Sequence, residues 1–450
     1  MMVNSTTHST RPPFFYGWII VATAFMINVV AAPMNAVVVA FFISPISDDL
    51  GIGRSTVAWA LTFRIAVAGL AAPFMGPLID NYGARWLGTV AGIYTGITLI
   101  GLYFVDSVWS LYLMFALSGL MGFGAPGGSL LISVPVAKWF VVKRGRAMAI
   151  AIAGAPLGTV IGIFVAQMLI DNVGWRGAWL VFGVGVWGVM VPLFAIFMRR
   201  IPEDLGLHPD GAVTEVTTNS QGKSKLLEFQ DASKREVDWP LRLVLRAPVM
   251  WMLVVAFGIN QFVGSGTLVH RVGSFEAEGL SDSLIGVGIA VEPLTFLVMA
   301  LLFGLIIERA VPRLIGALGL TLMVISVLPM LFFVDGQTYF IFIHSVLWGA
   351  GAGAGMNFMN VVWPSYFGRK HLGSIRGFIL PITIITGGLG PPMFGYIIDS
   401  WGGYTMAWSL TVVSLTVAGG LYLFARPPKL KEVSVDTGGD DVGGRSLETN

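Results

Sequence analysis

Apolar stretches of about 20 or more residues recur along the chain, and they constrain its fold more than any other feature. Such a run crosses the roughly 30 Å hydrocarbon core of a bilayer as a helix. Backbone N–H and C=O groups find no water in hydrocarbon, and the runs lack the alternation of barrel strands, so each must be helical. We predict an all-α multi-pass membrane protein with twelve spans, numbered in chain order: 15–43, 55–79, 85–105, 109–137, 146–172, 176–198, 247–269, 281–307, 311–334, 338–365, 374–399 and 404–425.

The small supply of charge supports this prediction. Only 12% of the 450 residues are charged and 55% are hydrophobic, whereas soluble proteins carry about 25% charged residues. This composition excludes a soluble enzyme, a disordered chain and a nucleic-acid-binding protein. The chain has no cysteine, which excludes disulfides and thiolate sites. We expect neither a cofactor nor a metal.

The basic residues predict the orientation of the spans. Of 27 Lys and Arg residues, Arg54, Arg176 and Arg271 fall on one side and Arg64 falls inside a span, so the remaining 23 share the side of both termini. Basic loops stay in the cytoplasm. We therefore place both termini in the cytoplasm and the protein in the inner (plasma) membrane.

A polar segment divides the spans into two sets of six. We predict a cytoplasmic tail over 1–14, an N-terminal six-helix bundle over 15–198 and a flexible cytoplasmic linker over 199–246. A C-terminal six-helix bundle follows over 247–425. The polar, Gly-rich residues 426–450 predict a disordered cytoplasmic tail.

The two halves repeat one another in a single register, which we call the repeat offset. Spans 2, 5, 8 and 11 and the loops beside them share glycines and acidic and basic residues at this one constant separation along the chain. A constant offset that includes acidic pairs predicts two pseudo-symmetric bundles. The matching pairs are Gly76 and Gly304, Asp80 and Glu308, Arg85 and Arg313, Gly145 and Gly373, Gly162 and Gly390, Asp171 and Asp399, and Gly174 and Gly402.

Several motifs carry a family resemblance. "GPLIDNYGARW" resembles the loop 2–3 signature of the major facilitator superfamily, and "AKWFVVKRGRAMAIAIAGAPLG" and "GWRGAW" resemble its monocarboxylate and oxalate/formate transporter branch. "RRIPEDLGLHPDG" and "YFGRKHLGSIRG" are similar to bacterial members. The resemblance extends over about 15–425 and implies a central cavity, between two bundles, that opens to alternate sides. It also implies that Asp80 with Arg85 and Glu308 with Arg313 stabilise the outward-facing state and govern switching.

Two charges lie deep inside predicted spans. A charge near the bilayer centre costs about 2.5–3.5 kcal/mol on insertion scales, so each needs a task or a partner. Arg64 lies near the midpoint of span 2 and Glu292 near the midpoint of span 8, and the repeat offset relates one position to the other. We expect them at similar depth on facing walls of the cavity.

Arg64 would bind a substrate carboxylate, because a guanidinium offers parallel donors and keeps its charge. Glu292 would be the proton-coupling group, neutral when the cavity is dry and ionised when it is wet. The alternative is a permanent Arg64–Glu292 ion pair that holds the bundles together. Relatives in the monocarboxylate group typically carry a basic residue in span 8. Residues 281–303 contain none, so the anion-binding arginine is predicted in span 2.

Weaker polar signals lie on spans 1, 7 and 10, which line the cavity in this superfamily. Each side chain could hydrogen-bond substrate or only join neighbouring helices. His344 could relay protons or bond to a neighbour. The charges at His270 and Arg271 could form an outer gate or a solvated loop. The amides in question are Asn28, Asn35, Asn260, Gln261, Asn357 and Asn360.

Gly- and Pro-rich motifs interrupt three spans at 124–128, 154–158 and 387–392. They could act as hinges during alternation or allow close packing of neighbouring helices. The sequence does not separate these two functions.

The leading interpretation is a secondary transporter for a small organic anion, a monocarboxylate coupled to protons, that works as a monomer in the bilayer. The alternative cargo is a zwitterion, an aromatic acid or an amphiphile, moved by exchange or export. An intramembrane enzyme would need a nucleophile–base pair or metal cluster, which the spans lack. A receptor on this fold would usually carry a folded cytoplasmic domain, and 199–246 is too short and polar for one.

Overall fold

The computed structural model describes residues 15–121, 130–211, 238–332, 338–401 and 403–428. Every regular element in these ranges is a helix. Eight helices are long and apolar enough to cross a membrane, and one of them, Arg144–Phe197, carries two spans. The predicted class is confirmed: an all-α membrane protein of twelve spans in two six-helix bundles.

The observed helices follow the predicted spans closely. In the N-terminal half the helices are Gly17–Val30 and Ala36–Leu50 (span 1), Arg54–Tyr82 (span 2), Ala84–Gly101 (span 3), Val108–Gly119 and Leu130–Trp139 (span 4), and Arg144–Gly185 (span 5 and the start of span 6). In the C-terminal half they are Pro248–Ala277 (span 7), Asp282–Ile306 (span 8), Pro312–Leu331 (span 9), Phe340–Phe367 (span 10), Leu372–Trp401 (span 11) and Thr405–Phe424 (span 12). Residues 122–129, with the motif at 124–128, lie outside the described residues, as do 1–14, most of the predicted linker at 212–237, and 429–450.

Span 1 is two helices rather than one. Pro33 lies in the short 3-10 turn Ala32–Met34, and the next helix starts after Asn35. The Asn35 side chain accepts from the N–H of Val37 at 3.0 Å. Asn is a favoured N-cap because its short side chain satisfies an otherwise unpaired N–H of the first turn. The break in span 1 is therefore encoded locally.

Spans 5 and 6 turn back at a glycine. Gly174 has φ 73° and ψ 169°, a conformation that glycine adopts easily and other residues rarely do. π-helical turns at Val186–Met190 and Leu193–Phe197 complete span 6. The motif "GWRGAW" thus encodes the turn between these two spans.

Span 10 is a long helix that combines small, apolar and amide side chains. Its helix Phe340–Phe367 contains four alternating glycines and two asparagines, and most of its residues are buried. Span 10 packs against spans 8 and 9. Small residues allow this close approach of helices inside a bundle.

The helix ends reproduce the repeat offset. It relates Arg54, where span 2 begins, to Asp282, where span 8 begins. The same offset relates three further pairs of helix ends. They are the starts of spans 3 and 9 (Ala84 and Pro312), the starts of spans 5 and 11 (Arg144 and Leu372) and the ends of spans 4 and 10 (Trp139 and Phe367). The two bundles are therefore structural repeats.

The bundles meet through spans 2 and 11 and through spans 5 and 8. A Cβ at Gly373 of span 11 would lie 2.5 Å from the carbonyl oxygen of Gly76 in span 2. A Cβ at Gly304 of span 8 would lie 3.0 Å from the carbonyl oxygen of Gly145 in span 5. The repeat relates these two crossings, and both lie at the same end of the molecule. The loops between spans 2 and 3, 4 and 5, 8 and 9, and 10 and 11 also lie at this end, which we call the linker end.

An alanine at position 76 tests this crossing, because its methyl group would meet the Gly373 carbonyl. We expect Gly76→Ala to destabilise the closed linker end by about 1–3 kcal/mol, the usual cost of overpacking. The melting temperature of the detergent-purified protein should fall. Gly420→Ala in span 12 is the control, because nothing lies within 4 Å of a Cβ there. Equal melting temperatures for the two variants would contradict the close crossing.

Candidate functional site

Asp80, at the linker end of span 2, caps a helix of the other bundle. It accepts from the backbone N–H of Gly373 at 3.1 Å and of Ser374 at 2.8 Å, and from the Ser374 hydroxyl at 3.0 Å. Lys138 of span 4 donates to the same carboxylate at 2.9 Å. A carboxylate at a helix start accepts hydrogen bonds from otherwise unpaired N–H groups and is attracted to the positive end of the helix dipole. Asp80 therefore joins span 2 to the first turn of span 11.

Glu308 makes the symmetry-related contact. It accepts from the backbone N–H of Arg146, in the first turn of span 5, at 2.9 Å. The Arg146 guanidinium binds the same carboxylate through two nitrogens, with Nη2 at 2.6 Å. Charge-assisted bonds of this kind are the stronger ones. Glu308 thus contacts both a helix start and a basic side chain of the opposite bundle, whereas Asp80 contacts a helix start of the opposite bundle and a lysine of its own.

The two arginines of the same signature work inside their own bundles. Arg85 donates from Nε to the Ala195 carbonyl of span 6 at 2.8 Å. Arg313 donates to the Leu423 carbonyl of span 12 at 2.9 Å. The repeat offset relates the two donors and also the two acceptors. These arginines tie spans 3 and 9 to the last span of each bundle and do not bridge the bundles.

Two aspartates beside the undescribed linker residues 212–237 were missed by sequence reasoning. Asp210, with φ 58°, accepts from the N–H groups of Val141, Val142 and Lys143 at 2.8–3.0 Å. Asp238 accepts from the backbone N–H groups of Arg369 and Lys370, each at 3.0 Å, in the equivalent loop of the C-terminal bundle. Each end of the linker is thus anchored to the loop that precedes span 5 or span 11.

Arg64 is buried, with 5% of its surface exposed, at mid-depth in span 2. Gly119 of span 4 packs against its backbone. Glu292 occupies the equivalent position in span 8, where Gly349 of span 10 packs against its carbonyl. The structure places both charges where the second helix of a bundle crosses the fourth.

Glu292 pairs with Arg271 of span 7, a contact inside the C-terminal bundle. The suggested Arg64–Glu292 ion pair is therefore wrong. The side chains of Arg271 and Glu292 are 4% and 17% exposed. Arg271 was also misplaced as an outer-loop or gate residue, because the helix of span 7 continues to Ala277. A polar stretch can remain helical there because the buried pair neutralises both charges.

His344 of span 10 is fully buried beside this pair. Its Nδ1 lies 3.1 Å from the Ser326 carbonyl of span 9. Its ring contacts Phe275, which follows Arg271 by one helical turn, and stacks on Trp348. Nε2 has no hydrogen-bond partner among the described residues. His344 is thus bonded to a neighbour, with one ring nitrogen still available.

Four of the predicted amides bond to the protein itself. Asn28 and Asn35 of span 1 donate to span 5, to the Ala151 carbonyl at 2.8 Å and the Thr159 hydroxyl at 3.2 Å. Asn357 donates to the Ala300 carbonyl of span 8 at 2.7 Å, and Asn360 to its own helix at 2.8 Å. This geometry favours the joining of neighbouring helices for the first three.

The amides of span 7 differ from these four in that no side-chain hydrogen bond of theirs is seen within the described ranges. Asn260, like Asn357, has a buried Oδ1 that accepts no hydrogen bond there. Gln261 is exposed and lies against Gly387 of span 11. Both remain candidates for contact with a ligand between the bundles.

The Gly–Pro motif of span 11 is a packing site. Pro391 has no N–H, which leaves the carbonyl of Gly387 without its usual helical donor. The Ser265 hydroxyl of span 7 donates to that carbonyl at 2.6 Å, and the His270 ring lies 2.9 Å from the Pro391 carbonyl. His270 is therefore a helix contact and not a loop charge. Likewise, Gly154 and Gly158 pack against span 1.

Comparison with known proteins identifies the class of protein. The sequence matches the Major Facilitator Superfamily over residues 21–379 and 274–443. The chain belongs to the major facilitator superfamily. It is a membrane transporter of the monocarboxylate-like branch and not an enzyme.

Its curated relatives are distant but cover most of the chain. It is similar to monocarboxylate transporter 2 of Rattus norvegicus (22% identical, 93% of this chain and 86% of that protein). It is also similar to monocarboxylate transporter 12 of Xenopus laevis (24%, 91% and 88%). An oxalate:formate antiporter of Oxalobacter formigenes is 26% identical over 56% of this chain and 54% of that protein.

Solved structures share the fold. The human organic anion transporter MFSD10 matches with a TM-score of 0.64 and 13% identity, over 92% of this chain and 99% of that chain. The proton:xylose symporter XylE matches with a TM-score of 0.63 and 14% identity, over 91% and 94%. At these identities the likeness concerns the fold alone.

The Asp80 contact is testable by cysteine labelling, because the chain has no native cysteine. Ala72 of span 2 is 4% exposed, beneath the crossing with span 11. We expect an Ala72→Cys thiol to react slowly with a water-soluble maleimide and faster when Asp80→Asn is added. A hydrogen bond to a charged group is worth about 1.5–3 kcal/mol, so the rate should rise roughly 10- to 100-fold.

Asp204→Asn is the matched control, because it removes the same charge from an exposed position at the same end. It should leave the labelling rate unchanged. An Asp80→Asn rate equal to that of the Asp204→Asn control would show that the carboxylate does not hold the linker end closed.

Proposed function

We propose that the chain is a secondary active transporter that moves a small monocarboxylate with a proton across the cytoplasmic membrane by alternating access. The names of its relatives support the anion class. The observation that carries the proposal is Arg64, buried at mid-depth and equivalent in the repeat to Glu292. Substrate sites in repeat-built transporters lie near the midplane at the interface of the repeats.

Arg64 is proposed to bind the substrate carboxylate. A carboxylate that leaves water for mid-depth needs a donor of opposite charge, and a guanidinium supplies two parallel bonds. Asn260 and Gln261 on span 7 are proposed as further hydrogen-bond partners. Asn28, Asn35 and Asn357 would position spans 1 and 10 instead of contacting substrate.

Glu292 is proposed as the proton-coupling group, and Arg271 gives it a mechanism. When Glu292 is ionised, the pair carries no net charge. Protonation of Glu292 would leave Arg271 charged in a buried site, which is unfavourable until an anion enters. Proton and anion would thus enter together. His344, close to Arg271, is proposed as a relay for the proton through its second ring nitrogen.

Asp80 and Glu308 are proposed to govern switching. Their contacts with the first turns of spans 11 and 5 must break before the linker end opens. If the basic linker end faces the cytoplasm, as the distribution of Lys and Arg supports, the structure corresponds to a conformation closed on the cytoplasmic side. We propose that one chain is sufficient for transport.

Uptake by proteoliposomes tests the site. Labelled monocarboxylates of one to four carbons would be offered with and without an inward proton gradient. We expect Arg64→Ala to weaken substrate binding by roughly 100-fold, because truncating one partner of a buried charge pair costs about 2–5 kcal/mol. Arg54→Ala, at the exposed start of the same helix, is the control and should transport normally.

Glu292→Gln separates coupling from binding. It should retain exchange of internal for external substrate and lose accumulation driven by the proton gradient. Glu278→Gln, in the exposed loop between spans 7 and 8, should keep both. Gradient-driven uptake that is undiminished in both Arg64→Ala and Glu292→Gln would refute the assignment.

A further inference from the structure

A cleft of about 550 Å³ opens at the linker end, far along the helices from Arg64 and Glu292. Its walls come from both bundles. Lys138 lines it from the N-terminal bundle, Arg200 from the start of the linker that follows span 6, and Arg369, Lys370 and His371 from the C-terminal bundle. A site with this composition exists only while the two bundles are in contact at this end.

The three acidic residues of the cleft already have partners, two of which are cations that also line the cleft. Asp80 accepts from Lys138 and from two backbone N–H groups of span 11. Asp238 accepts from two successive N–H groups in the loop before span 11. Glu203 lies at the rim, 44% exposed, with its carboxylate 3.7 Å from the Arg369 guanidinium. Asp80 and Glu203 therefore pair with Lys138 and Arg369, and neither carboxylate pairs with Arg200 or Lys370.

Three cationic or titratable groups face the cleft with donors to spare. The Arg200 guanidinium donates one hydrogen bond, from Nη1 to the Asn81 carbonyl at 3.3 Å. The Lys370 ammonium and the His371 ring make no hydrogen bond or ion pair within the described ranges. Arg200 and Lys370 are exposed. Cations that converge from two walls create a positive potential that a multivalent anion can neutralise.

We propose that this cleft binds a phosphate-bearing anion and that its occupation stabilises the closed linker end. A phosphate carries several acceptor oxygens, which suit a guanidinium and an ammonium together. The volume lies within the range of about 300–1,000 Å³ typical of small-molecule sites. Because the walls belong to different bundles, the ligand binds one conformation better and shifts the population toward it. The proposal does not depend on the identity of the transported substrate.

Thermal unfolding of the detergent-purified chain with inorganic tripolyphosphate, at fixed ionic strength, tests the site. We expect tripolyphosphate to raise the melting temperature of the wild type. The double variant Arg200→Gln/Lys370→Gln should bind it about tenfold or more weakly, because two contacts to charged groups are lost. The control Arg242→Gln/Arg309→Gln removes two exposed basic residues that do not line the cleft and should respond like the wild type.

Melting temperatures measured in lipid nanodiscs distinguish a lipid headgroup from a soluble phosphate as the ligand of the cleft. If a lipid headgroup fills the cleft, phosphatidylglycerol will raise the melting temperature of the wild type above that in phosphatidylcholine, and tripolyphosphate will add little. If the ligand is soluble, tripolyphosphate will act equally in both lipids. In either case the cleft variant must lose the effect.

The proposal is overturned if neither phosphate shifts the wild type, or if both shift the cleft variant as much as the control. Should the double variant fail to fold, His371→Asn alone gives the same comparison. Transport assays are not needed for this test, so a failure here leaves the proposed function standing, and the reverse also holds.

Discussion

At the linker end, two carboxylates cap the first turns of helices in the opposite bundle. Asp80 supplies acceptors to span 11 and Glu308 to span 5. The glycines beside them allow the backbones to approach until these short bonds form. Neither bundle can rotate away without exposing unpaired N–H groups and buried carboxylates. These polar contacts lie at the end of a longer helix interface, in which spans 2 and 11 and spans 5 and 8 pack against each other.

The same repeat that makes the closure symmetric makes the buried charge asymmetric. Arg64 and Glu292 occupy equivalent positions with opposite charges, and Glu292 pairs with Arg271 inside its own bundle. A symmetric scaffold thus carries two different kinds of site at one depth.

Much of this architecture is readable from the sequence, because hydrocarbon forces helices and the repeat fixes their register. The repeat offset predicted the equivalence of Asp80 and Glu308 and of Arg64 and Glu292, and the predicted bounds of span 2 put Arg64 near its midpoint. The Arg271–Glu292 pair was missed, because a polar stretch at the end of span 7 looks like a loop until its partner on span 8 is known. Asp210 and Asp238 were missed because backbone N–H groups leave no mark in the residue types. The break in span 1 and the π-helical turns of span 6 depend on local backbone geometry that hydropathy does not register.

Distances at both ends of the molecule test alternating access most directly. Spin labels on cysteines at Tyr82 and Val311, exposed at the linker end, and at Asp48 and Glu278, exposed at the opposite end, would report each separation by pulsed electron paramagnetic resonance. With saturating monocarboxylate at acidic pH, we predict a new population in which the linker-end distance lengthens while the opposite distance shortens. The Asp80→Asn variant should populate it without substrate. Distances that stay fixed, or that change in the same direction at both ends, would contradict the account.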